Sequence, residues 1–77
     1  MQIHVHLHGI LREVLPPSAK GRTTLDFQNP TTIKHLLSQL GITRRVEVAI
    51  NDNLISNLES QLQDGDQVAI FTIIGGG

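Results

Sequence analysis

Seventy-seven residues and 8.5 kDa limit the chain to one small domain. Six basic and seven acidic residues give a formal charge of −1, and there is no cysteine. That excludes disulfides, iron–sulfur clusters, cysteine-ligated zinc and a cysteine nucleophile. A nucleic-acid module would carry a basic stripe or aromatic stacking platforms, and the chain has neither. The longest apolar run, Val68 to Ile74, is too short to span a bilayer, and the alternating start does not read as a signal peptide. The expectation is a small cytoplasmic globular domain with an aliphatic core.

Met1, Ile3, Val5 and Leu7 alternate with Gln2, His4, His6 and His8, which predicts a strand with one buried face. Gly9 and Pro16-Pro17 break it, and Pro16 to Gly21 reads as a polar loop. Thr23, Leu25 and Phe27 predict a second strand, making a hairpin with a long turn. Asn29-Pro30-Thr31-Thr32 marks a helix start, because a threonine hydroxyl can accept from the free first-turn amides. Ile33, Leu36, Leu37 and Leu40 form one apolar helical stripe, and Gly41 stops it. Val46, Val48 and Ile50 predict a third strand, ended by Asn51-Asp52-Asn53, with Leu54-Ile55 as a short edge strand. Leu58 and Leu62 are expected to plug the bottom of the core. Asp64-Gly65-Asp66 reads as a tight turn, and Gln67 to Ile74 as the last strand, running into Gly75-Gly76-Gly77.

One helix must cover every strand, so the first and last strands are expected side by side in the centre of a mixed sheet. That is an α+β architecture of the β-grasp, ubiquitin-like type. It has four to five strands, the domain is placed at residues 1–74, and residues 75–77 form a glycine tail.

No catalytic constellation is legible. The serines lack nucleophile-elbow glycines, the acids are scattered, and no helix follows the terminal glycines to make a phosphate loop. His4, His6 and His8 share a strand face, but a straight strand spreads its side chains, so they read as half-exposed residues without a metal. His35 reads as solvent-facing, and Arg44-Arg45 as a solvated loop. If Val68 and Ile70 face the helix, Phe71 and Ile73 face outward as an apolar patch with no internal partner, the mark of an interaction site. Thr72 to Gly77 could extend about 20 Å. Glycine has no side chain to obstruct a narrow channel, and the end delivers a free carboxylate.

Gly9-Ile10-Leu11-Arg12-Glu13, Thr32-Ile33 with Leu36-Leu37, Ala49-Ile50-Asn51 and Asp64-Gly65-Asp66-Gln67-Val68-Ala69-Ile70-Phe71 resemble the small subunit of molybdopterin synthase. That subunit carries Pro-Pro after the Phe, where this chain has Thr72-Ile73. The run Phe71 to Gly77 is instead similar to the tail of the thiamine-biosynthesis sulfur carrier, which has a shorter first hairpin. The resemblance implies a ubiquitin-like sulfur carrier rather than an enzyme, with no catalytic residue and no bound cofactor or metal. Gly77 would carry the adenylate and then the thiocarboxylate, Gly75 and Gly76 would thread the partner's channel, and Phe71, Ile73 and Ile74 would dock. The implied partners are an ATP-using activating enzyme of the ubiquitin-activating kind and a sulfur-accepting synthase subunit, with the free carrier a monomer. A protein modifier joined through Gly77, and an interaction domain with an inert tail, are the alternative readings.

Overall fold

The alternation at the start of the chain is realised as strand β1, Gln2–Leu7, with Ile3, Val5 and Leu7 buried. The computed structural model describes residues 1–73; Ile74 and the three glycines of the expected tail lie outside the described residues. After β1 the chain takes two 3₁₀ turns, Gly9–Val14 and Pro17–Ala19, where the sequence predicted an open loop. Leu11 from the first turn is buried in the core and gives this connection an anchor. Strand β2, Arg22–Asp26, then pairs antiparallel with β1, and Phe27 lies just past its end.

Helix α1, Ile33–Leu40, buries Ile33, Leu36 and Leu37. Both ends close by side-chain and backbone chemistry. Of the two candidate threonines, Thr32 is the cap: its hydroxyl accepts from the His35 amide at 3.2 Å. The amides of Ile33 and Lys34 donate to the carbonyls of Ser60 and Leu58 at 3.2 and 2.9 Å. At the other end Gly41 has a φ of +73°. Its amide donates to Ser38 and the Ile42 amide to Leu37, a Schellman closure with Ile42 buried.

Strands β3 (Val46–Ile50) and β4 (Asn53–Ile55) form a hairpin whose two turn residues, Asn51 and Asp52, both have positive φ. That geometry matches the right-handed twist of a two-residue hairpin, and Asn and Asp tolerate it. Strand β5, Gln67–Thr72, runs parallel to β1 and antiparallel to β3. The five-stranded order β2-β1-β5-β3-β4 puts β1 and β5 inside the sheet, as the one-helix argument requires.

Leu62 is buried, but Leu58 is 40% exposed and does not plug the core. That segment instead supplies the helix N-terminus with backbone oxygens, which satisfies amides that would otherwise lack partners. Strand β5 ends at Thr72 rather than Ile74, because its partner β3 begins at Val46, opposite Thr72. No helix among the described residues is long and apolar enough to cross a membrane.

Candidate functional site

The pleat of β5 sets the site. Val68 and Ile70 point into the core and are fully buried, so Ala69 and Phe71 emerge on the face that α1 does not cover. The register extends this face across the sheet. Arg22, His6, Ala69 and Ala49 lie in one row, ending at Leu54, and Thr24, His4 and Gln67 lie in the next. Glu47 sits opposite Phe71. The uncovered face therefore carries Arg22, Thr24 and Asp26 along β2 and histidines on β1, is small and apolar in the middle, and is acidic beside Phe71.

Phe71 is half-buried and, contrary to the sequence expectation, has an internal partner. Its ring stacks on His8 with centroids 4.4 Å apart and planes 12° from parallel. His8 lies one residue beyond β1, where its amide donates to the Ile70 carbonyl at 3.0 Å. This bond brings the imidazole over the β5 side chain. The His6 ring follows at 4.0 Å from His8, so these two histidines converge where a straight strand would spread them. His4 instead meets Thr24, Nδ1 to Oγ1, at 3.2 Å.

An open groove of about 650 Å³ runs over this face, lined by His4, His6, His8, Arg22, Ala69 and Phe71 among others. Burial holds the His6 pKa below 6.5, and the nearby His8, Arg22 and Arg12 push the same way. Among the described residues no group of three or more His, Asp and Glu side chains is placed to hold a metal ion.

Ile73, 45% exposed, lies elsewhere. It lines a second concavity of about 570 Å³ with Leu54, Leu58, Leu37, Arg44 and Arg45. Phe71 and Ile73 thus do not share one patch, because Ile73 lies past the last paired residue and the pleat no longer sets its side. Two concavities flank the end of β5, one lined by imidazoles with Arg22 and Asp52, the other by leucines and an arginine pair. Sequence reasoning missed Leu54, Leu58 and His8 here. The exposed leucines carried a signal, being large apolar residues in a stretch without periodicity. Ile74, Gly75, Gly76 and Gly77 lie outside the described residues.

Residues 5–77 match the profile of the ThiS family, nearly the whole chain. The chain belongs to the ThiS family. ThiS-like proteins are small sulfur-carrier subunits rather than catalysts. Solved structures with the same β-grasp fold support the architecture. SAMP1 from Haloferax volcanii superposes with a TM-score of 0.73 at 18% identity, over 100% of both chains. The protein–protein complex of subunits 1 and 2 of the molybdopterin-converting factor from Helicobacter pylori gives 0.67 at 24% identity, also over 100% of both chains. The thiamine biosynthesis protein ThiS from Geobacter metallireducens gives 0.61 at 20% identity, over 96% of this chain and 99% of that one. No curated protein matches the chain.

Proposed function

We propose that this ThiS-family chain carries sulfur on the C-terminal carboxylate of Gly77 for cofactor biosynthesis of the molybdopterin or thiamine type. The observation that carries the reading is the family match, which runs through the terminal glycines. A carboxylate is a poor electrophile. Attack of its oxygen on the α-phosphorus of ATP releases pyrophosphate and leaves an acyl-adenylate with a good leaving group. A sulfide-level sulfur nucleophile then adds to the acyl carbon, AMP departs, and a thiocarboxylate remains.

The ATP site belongs to the activating enzyme, and this chain contributes a threadable end and a docking surface. Phe71 and Ile73 would be gripped on either side of the tail base, with Ile74 completing the docking surface and Gly75 and Gly76 inside the channel. A synthase subunit would accept the sulfur. The similarity to a two-subunit molybdopterin-converting factor supports such a partner.

Intact mass of the chain purified from its own host tests the proposal. The expected result is a fraction heavier by one oxygen-for-sulfur exchange at Gly77. Remnants of the Gly77 end on lysines of other proteins would replace it with the modifier reading. A second test is Gly76→Val, which should block adenylation while the domain melts unchanged, because a β-branched side chain meets the channel walls. Wild-type adenylation of that variant would overturn tail threading.

A further inference from the structure

Among the described residues strand β2 has one neighbour, β1, and its other edge is open. The hydrogen-bond parity shows which backbone groups that edge presents. The Leu7 amide donates to Gly21 at 2.7 Å and the Phe27 amide to Met1 at 2.8 Å, at the two ends of the β1–β2 ladder. Residues 21, 23, 25 and 27 therefore turn their amides and carbonyls toward β1. Arg22, Thr24 and Asp26 turn theirs outward, because the pattern alternates along an antiparallel strand.

The side chains of those same three residues make a self-complementary set. All three are exposed, and Arg22 has no ion-pair partner among the described residues. Among the same residues Asp26 has a 3.4 Å contact with the N-terminal amine and no other ion pair. Placed antiparallel about Thr24, two copies of Arg22-Thr23-Thr24-Leu25-Asp26 set each Arg22 opposite the other copy's Asp26. Thr24 meets its counterpart on the two-fold axis. Every outward group then finds a partner, in about six backbone hydrogen bonds, two for each bonded pair. Opposite charges and paired threonines directly across a ladder are favourable. An unpaired edge is a ready template for another strand, and charges usually guard it by repelling. Here the guards attract when the incoming strand is β2 itself.

We propose that the free edge of β2 is a self-docking surface, pairing antiparallel with β2 of a second copy through Arg22–Asp26 ion pairs. The sequence led to the expectation of a monomer, and the association is weak. A ladder this short buries far less than the roughly 1,200–2,000 Å² of a stable interface, so dissociation lies near millimolar. The pairing joins two sheets into one and leaves the docking end free, since β5 is two strands away. Arg22 also lines the imidazole groove, but Phe71 and Ile73 lie clear of the β2 edge, and the self-docking does not rest on the carrier reading.

Sedimentation equilibrium and dilution-series amide spectra at up to about 1 mM chain test the proposal. The wild type should dimerise reversibly, with shifts centred on residues 22–26. Arg22→Glu places acid opposite acid, and Asp26→Lys places base opposite base. Each alone should weaken dimerisation about tenfold or more. Their equimolar mixture should restore it as a heterodimer, because one copy then carries two acidic side chains and the other two basic ones. A wild type monomeric throughout, variants that dimerise as well as wild type, or a mixture no better than its components would overturn the proposal.

Discussion

Phe71 and Ile70 are neighbours on β5 with opposite fates, and truncating each to alanine separates docking from folding. Ile70 is fully buried among the core residues. Ile70→Ala should cost about 2–5 kcal/mol, transfer and cavity terms together. A domain of this length holds only about 4–12 kcal/mol in total, so that loss is a large fraction. Phe71 is half-buried, and its ring stacks on His8. Phe71→Ala forfeits that stack, about 0.5–1.5 kcal/mol, plus a part of its burial, without leaving a closed cavity. The sum is about 1–2 kcal/mol, or roughly 5–15 °C in melting temperature for a domain of this size. A docking aromatic lost from an interface costs about 2 kcal/mol or more, near thirtyfold in affinity. Urea denaturation and calorimetric titration with the cognate activating enzyme read the two quantities separately. Equal stability losses for Phe71→Ala and Ile70→Ala would refute the assignment of the strand's faces. Unchanged affinity of folded Phe71→Ala would remove Phe71 from the docking surface.

Other substitutions probe the local devices that hold the site. Gly21→Ala should lose at least about 1–3 kcal/mol in denaturant titrations, because φ is +77° and a Cβ would stand 2.5 Å from the Leu7 carbonyl oxygen. Thr32→Ala should lose about 0.5–2 kcal/mol with the helix cap. Thr31→Val should instead gain about 1 kcal/mol by removing a buried hydroxyl that has no hydrogen-bond partner among the described residues, and the two midpoints should move in opposite directions. His6 should titrate below 6.5 by NMR. The unfolded chain then takes the proton first, so this contribution to stability is complete above about pH 6.5 and is lost as pH falls toward the folded value. His6→Gln should flatten that part of the pH–stability profile, and an unchanged profile would contradict the linkage.

Short-range chemistry was legible in the residues alone. The period-two runs around Ile3 and Val48, the Ile33-Leu36-Leu37-Leu40 stripe, the Gly41 stop and the Asp64-Gly65-Asp66 turn need only a few neighbours to be favourable. The structure realises each of them. The Asp-Gly-Asp turn even shows why its residues are acids: Asp64 accepts from the Gln2 amide at 2.7 Å and Asp66 from Gln63 at 2.8 Å. The central place of β1 and β5 also followed from the sequence, since a single helix leaves few ways to bury two strongly alternating strands.

Questions that depend on distant partners were not legible. Both Thr31 and Thr32 can cap a helix, and only the path of the chain turned one hydroxyl to an amide and buried the other. Leu58 and Leu62 look alike until the helix N-terminus recruits the Leu58 carbonyl, leaving its side chain exposed. The end of β5 was decided by where β3 begins, and the Phe71 stack by the bond that holds His8 beside Ile70. The outward parity of Arg22, Thr24 and Asp26 was set by the register against β1, since a one-residue slip would exchange every group on that edge. Periodicity is a property of the chain, whereas register, edges and the partners of polar groups arise only when segments far apart in sequence meet.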